Sequence, residues 1–179
     1  VVLDADLALD CGLLPFEAKY PARFIECGIA EQDMVSMAGG LALQGLLPVV
    51  HSFASFLTAR ANEQIFVNAT EHTKIIYVGS LAGLLPSSPG HSHQAVRDIS
   101  VLAAIPDLCL VAPCCREELE AAFSWAIEEM RSDPACHNAL VTSWNPEYLY
   151  TMAKPEEANR FPICHNMYQM NIKEGKVCL

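Results

Sequence analysis

Chemistry in this chain starts with Arg23-Phe-Ile-Glu-Cys-Gly-Ile-Ala-Glu-Gln-Asp-Met34, where a strand-like run ends at Gly28 and a helix opens at Ala30-Glu31-Gln32. A carboxylate at that place can accept an N–H or exchange a proton. An acidic first turn also follows from the helix macrodipole alone, so position by itself leaves both readings open. In Val49-Val-His-Ser-Phe-Ala-Ser-Phe56, Phe53 and Phe56 stand at i and i+3. That spacing makes either an apolar stacking surface for a flat heteroaromatic or ordinary core. Arg60 follows, by default an exposed helix arginine. The stretch from Gly79 to Ala95 contains His91 and His93, and an imidazole there could donate or accept a proton near neutral pH. No third ligand stands at a recognisable spacing, so no metal site is expected in this chain.

The elements needed to hold these residues are visible in the apolar patterning. Short aliphatic runs at 1–4, 23–27, 47–51, 74–78, 108–112 and 139–142 read as strands. Segments 30–44, 55–70, 93–104 and 116–130 carry apolar residues at helical spacing. Alternating strand and helix, with strands apolar throughout, predicts an α/β fold: a three-layer, doubly wound, mostly parallel sheet. Ligands of such sheets lie at the carboxyl ends of strands, which draws attention to the loops after Cys27, His51, Val78 and Ala112. Gly39 and Gly40 in mid-helix imply close approach of another backbone or tight helix packing. The α/β domain is expected over 1–150. Residues 151–179, with Lys154-Pro and Phe161-Pro, read as a connector and the start of a truncated further domain.

Composition narrows the function classes. With 179 residues, 52% hydrophobic and a formal charge of −10, the chain supports one well-buried domain and offers no basic surface for nucleic acid or an anionic membrane. Eight cysteines form no Cys-x-x-Cys pair, and several sit in apolar runs as small hydrophobes. No signal-like or membrane-spanning run is present, so a reducing, cytoplasmic setting is expected.

Taken in order and spacing, these segments resemble the pyrimidine-binding domain of the transketolase family, including deoxyxylulose-phosphate synthases. Gly28-Ile-Ala-Glu31-Gln32 matches the family's Gly-Ile-x-Glu-His/Gln. Val49 to Phe56 matches a strand followed by Ser/Thr-Phe-x-x-Phe. Arg60-Ala-Asn-Glu-Gln64 resembles a synthase-type Arg-Ala-Tyr-Asp-Gln, and Gly90, Ser92, His93 and Gln94 match Asp-Gly-Pro-Thr-His-Gln. Ala103-Ala-Ile-Pro-Asp-Leu108 completes the series. The resemblance implies that Glu31 hydrogen-bonds N1′ of thiamine diphosphate and so promotes proton loss from thiazolium C2. It further implies that Phe53 and Phe56 flank the pyrimidine, that His93 is a second catalytic residue, and that Arg60 and His91 face substrate.

The same resemblance implies Mg2+ and diphosphate held by a partner subunit or domain, since the family's Gly-Asp-Gly segment is absent from this sequence. Expected on that basis are a homo- or hetero-oligomer, a small carbonyl or sugar phosphate substrate, and transfer of a two-carbon ketol unit. Pro89 and Leu81 stand where transketolases carry a substrate aspartate and histidine. Alternative readings are therefore a deoxyxylulose-phosphate-synthase-like or 2-oxoacid dehydrogenase β-like subunit, or a non-catalytic partner that keeps the fold.

Overall fold

The computed structural model describes residues 1–84, 89–132, 138–143, 172–173 and 176–177. Six parallel strands form one sheet: β1 Val2–Asp4, β2 Phe24–Glu26, β3 Val49–Phe53, β4 Ile75–Ser80, β5 Leu108–Val111 and β6 Asn138–Ser143, in the order β2-β1-β3-β4-β6-β5. The chain runs from β1 outward to β2 and then returns past β1 to β3, so strand order reverses between β1 and β3. The crevice at such a reversal is where doubly wound sheets take ligands. A short antiparallel ladder, β7 Ile172–Lys173 with β8 Lys176–Val177, forms a second, two-stranded sheet. Apart from this ladder, the connector and further-domain start expected over 151–179 lie outside the described residues.

Helices cover both faces, as the uninterrupted apolar strands require. On one face Leu3, Val50, Ile75 and Tyr77 pack against α2 (Glu31–Leu43), α3 (Ala54–Arg60), α4 (Asn62–Thr70) and α5 (Asp98–Leu102), through Met34, Val35, Leu57, Ile65 and Leu102. On the other, Ile76, Val49 and Val78 meet Phe123, Ala126, Ile127 and Met130 of α6 (Arg116–Ser132). Each large aliphatic chain fully buried here contributes about 1.5–3 kcal/mol relative to exposure. The three-layer expectation holds.

Element boundaries depart from the sequence reading in places that matter for the site. The helix expected over 55–70 is two helices, broken at the fully buried Ala61. Asn62 turns its amide to the Val101 carbonyl at 3.2 Å, fixing the second helix against α5. The helix expected over 93–104 shrinks to α5, because Ala95 is held in bridges to Ala82 and Gly83 and residues 91–93 form a 3-10 turn. A short helix, α1 (Leu14–Lys19), was not anticipated: with no buried residue, it carries little apolar periodicity to reveal it. β3 and β4 each extend two residues beyond expectation, ending at Phe53 and Ser80.

The paired glycines of α2 divide in role. A Cβ on Gly39 would collide with Asn68 Oδ1. Asn68 cannot yield freely, because its amide donates to the Val35 carbonyl (3.0 Å) and the Tyr77 hydroxyl (3.2 Å) inside the core. Gly39 thus serves packing within the chain, while Gly40 is exposed and faces open space. Gly39→Ala should lower the denaturant-measured stability by about 1–3 kcal/mol, through overpacking and lost buried hydrogen bonds. Gly40→Ala should raise it by about 0.5–1 kcal/mol; equal effects at the two positions would contradict the packing.

Candidate active site

Two loops at the carboxyl edge of the sheet set the position of Glu31. Gly28 turns the chain after β2 with φ +68°, a left-handed conformation that favours glycine. The Glu26 carboxylate clamps this corner by accepting 2.8 Å bonds from the Gly28 and Asp6 amides. Cys27 N–H adds a 2.9 Å bond to the Asp4 carbonyl. The loop after β2 is therefore tied to the loop after β1, and α2 starts from a fixed point with Glu31 as its first residue. That carboxylate is only 4% exposed.

Burying a carboxylate is unfavourable without a partner, and Arg60 supplies one. Its Nη1 donates to Glu31 Oε1 at 2.6 Å. The same guanidinium lies over the Phe56 ring, with its carbon 3.8 Å from the centroid. Since 45% of the Arg60 side chain remains exposed, solvent screening limits the pair to about 1 kcal/mol or less. Arg60 ends α3, next to the break at Ala61.

The aromatic residues converge on the same spot. Phe53, the last residue of β3, and Phe56, in the first turn of α3, have ring centroids 5.6 Å apart. His93 completes the group, edge-on to Phe56 at 4.9 Å and to Phe53 at 6.1 Å. Its Nδ1 is 3.0 Å from Ser92 Oγ. Glu31, Phe53, Phe56, Arg60 and His93 are thus brought together from four separate segments. Arg60 meets Glu31 directly, a contact the sequence reading did not anticipate. His91 opens the 3-10 turn as an exposed residue and, among the described residues, makes none of these contacts. Leu81 is buried with φ +59°, and Pro89 is exposed. Among the described residues, no three of His, Cys, Asp and Glu gather to hold a metal ion.

Sequence reasoning missed a second polar group at this edge. His51 Nδ1 lies 2.8 Å from Asp4 Oδ1, and His51 Nε2 lies 2.9 Å from Ser80 Oγ. Asp4 Oδ2 also accepts the Leu7 amide at 2.7 Å. All three side chains are buried. Parallel register produces the arrangement: Asp4 pairs with His51 and Phe53 pairs with Ser80, so three polar residues share one face of neighbouring strands. The available signal was a polar residue at the carboxyl end of each otherwise apolar run. Beside them, burial pushes the Cys11 thiol up to about 12, partly opposed by a hydrogen bond with Ser80. A thiol so protonated is a poor nucleophile at neutral pH.

Comparison with known proteins gives a consistent picture. Residues 1–137 match the family described as transketolase, pyrimidine binding domain. The 1-deoxy-D-xylulose-5-phosphate synthase of Clostridium acetobutylicum is 34% identical over 129 residues, covering 72% of this chain and 21% of that protein. The same enzyme from Treponema pallidum (strain Nichols) is 35% identical over 129 residues, covering 72% and 20%. The chain therefore spans about a fifth of the length of these relatives. Among solved structures, a split-gene transketolase in the form of an inactive β4 tetramer superposes with TM-score 0.67 at 28% identity, covering 80% of this chain and 44% of that one. A transketolase from Leishmania mexicana superposes with TM-score 0.70 at 23% identity, covering 80% and 22%, which shows a common fold.

His51 and Asp4 offer a direct test of the buried group. His51→Leu should lower stability by about 3–5 kcal/mol in equilibrium denaturation, since it leaves Oδ1 of the fully buried Asp4 carboxylate without its partner. Adding Asp4→Val should recover only part of that loss, because the Leu7 amide then loses its acceptor. Full additivity of the two substitutions would contradict the coupling.

Proposed function

The chain belongs to the transketolase pyrimidine-binding domain family, and from that premise we propose that it supplies the pyrimidine half of a thiamine-diphosphate site, with Glu31 as the activating carboxylate. The observation that carries this reading is the buried Glu31 carboxylate beside Phe56, already engaged by a planar N–H donor stacked on that ring. An aminopyrimidine offers the same combination of flat face and ring nitrogen, so the residues present fit the group. Mg2+ and the diphosphate fall to a partner subunit or domain, consistent with the short span of this chain against its relatives. Residues 151–179 then lead into a further domain, and the assembly is an oligomer.

Within the site each residue has a stated task. Thiamine diphosphate, when bound, supplies a carbon nucleophile and an electron sink. Glu31 holds a proton against the ring nitrogen, and the fixed start of α2 keeps its oxygen in place. Phe56 and Phe53 orient the ring through stacking and exclude water from the carboxylate. His93, steadied by Ser92 at Nδ1, holds or moves a proton at Nε2 toward the substrate carbonyl. Arg60 and His91 remain the residues assigned to the substrate side. The proposed reaction is transfer of a two-carbon ketol unit between carbonyl or sugar substrates.

A second reading changes the donor. Leu81 is buried and apolar, Pro89 replaces an acidic side chain, and the relatives at 34–35% identity are 1-deoxy-D-xylulose-5-phosphate synthases. A synthase-like decarboxylation of pyruvate fits those facts, and side-by-side assays with pyruvate and a ketose phosphate as donor decide between them.

Glu31→Ala in the complete enzyme should reduce turnover by at least about 100-fold while the circular dichroism spectrum stays native. Turnover within a few fold of wild type would remove Glu31 from the mechanism.

A further inference from the structure

Arg60 makes, from within the chain, both contacts assigned above to the aminopyrimidine. Its guanidinium stacks on Phe56 at 3.8 Å and donates to Glu31 Oε1 at 2.6 Å. A flat cation of delocalised nitrogens pressed on an aromatic ring and donating to a carboxylate uses the recognition chemistry of a heteroaromatic amine. Phe53 and His93 already crowd the Phe56 ring at 5.6 Å and 4.9 Å. The stacking face and the carboxylate oxygen held by Arg60 cannot serve a second planar group at the same time.

We propose that Arg60 is an internal ligand of the pyrimidine pocket, docked on Glu31 and Phe56 in the free protein and displaced when the cofactor enters. This rests on the reading of Glu31 and Phe56 given above. The asymmetry of the pair supports it. The Glu31 side chain is 5% exposed and cannot leave, whereas Arg60 is 45% exposed and can swing into water without burying its charge elsewhere. Arg60 is the last residue of α3, so no further residue of that helix follows it. Docked, it balances a carboxylate that would otherwise be buried alone. Displaced, it stands at the rim of the same pocket, where an anionic substrate group would meet it.

Competition of this kind lowers apparent affinity by the fraction of time the pocket is open. If Arg60 is docked roughly nine-tenths of the time, ligand binding is weakened about tenfold. The test is calorimetric titration of the full-length protein, together with its diphosphate-binding partner where that is a separate chain. Two probes are used: thiamine, and neutral 4-amino-5-hydroxymethyl-2-methylpyrimidine, which removes charge repulsion from the comparison. Arg60→Met should bind both about tenfold more tightly than wild type. Added methylguanidinium should weaken binding to Arg60→Met and leave wild type unchanged. Arg60→Gln serves the same purpose if the methionine variant fails to fold.

Equal or weaker binding by the variants overturns the internal-ligand assignment. The reading of the site survives that result if Phe56→Ala and Glu31→Gln still abolish thiamine binding. Binding of neither probe by any variant overturns the site reading and this inference with it.

Discussion

Parallel pairing of β1, β3 and β4 sends their carboxyl ends to one edge, and Asp4, His51, Phe53 and Ser80 are all placed there by it. The register aligns Asp4 with His51 and Phe53 with Ser80. It thereby builds a buried polar group on one face and sends Phe53 into α3 at the strand end. A slip of one residue would turn each of these side chains to the opposite face. Burial of Leu3, Val50 and Tyr77 under α2 to α5, and of Ile76 under α6, forbids that slip.

Charge placement at the edge follows from what the core can tolerate. Among the buried carboxylates, Asp4 and Glu31 are almost wholly removed from solvent. Each is held by a cationic or polar partner and by the fixed start of a loop or helix. They differ in the mobility of that partner. His51 is itself buried and bonded on both ring nitrogens, whereas Arg60 is half in water. Asp4 is consequently held inside the core by a buried partner, whereas the partner of Glu31 lies open to solvent. The Glu26 clamp on Gly28 and Asp6 keeps the two close to a common loop system.

Membership in the transketolase pyrimidine-binding family sits well with this division. Among the described residues, no helix is long and apolar enough to cross a membrane. An enzyme that borrows its carbon chemistry from a cofactor asks the protein mainly for orientation and one proton contact. A buried acid at a helix start with two phenylalanines beside it is compatible with that demand.

The fold class, six strands in their correct places and the candidates Glu31, Phe53, Phe56 and His93, which the structure brings together, were legible in the sequence. Apolar period and the Gly28-Ile-Ala-Glu31 corner are local signals that survive whatever surrounds them. Gly39 was legible as a close approach, though its partner Asn68 was not. Only tertiary structure decided the break at Ala61, the Arg60–Glu31 contact and the Asp4–His51–Ser80 group. Each of these depends on which strands neighbour one another and on where a helix must end to meet a distant carbonyl. Such contacts join residues 29 to 47 positions apart, and local periodicity carries no information about them.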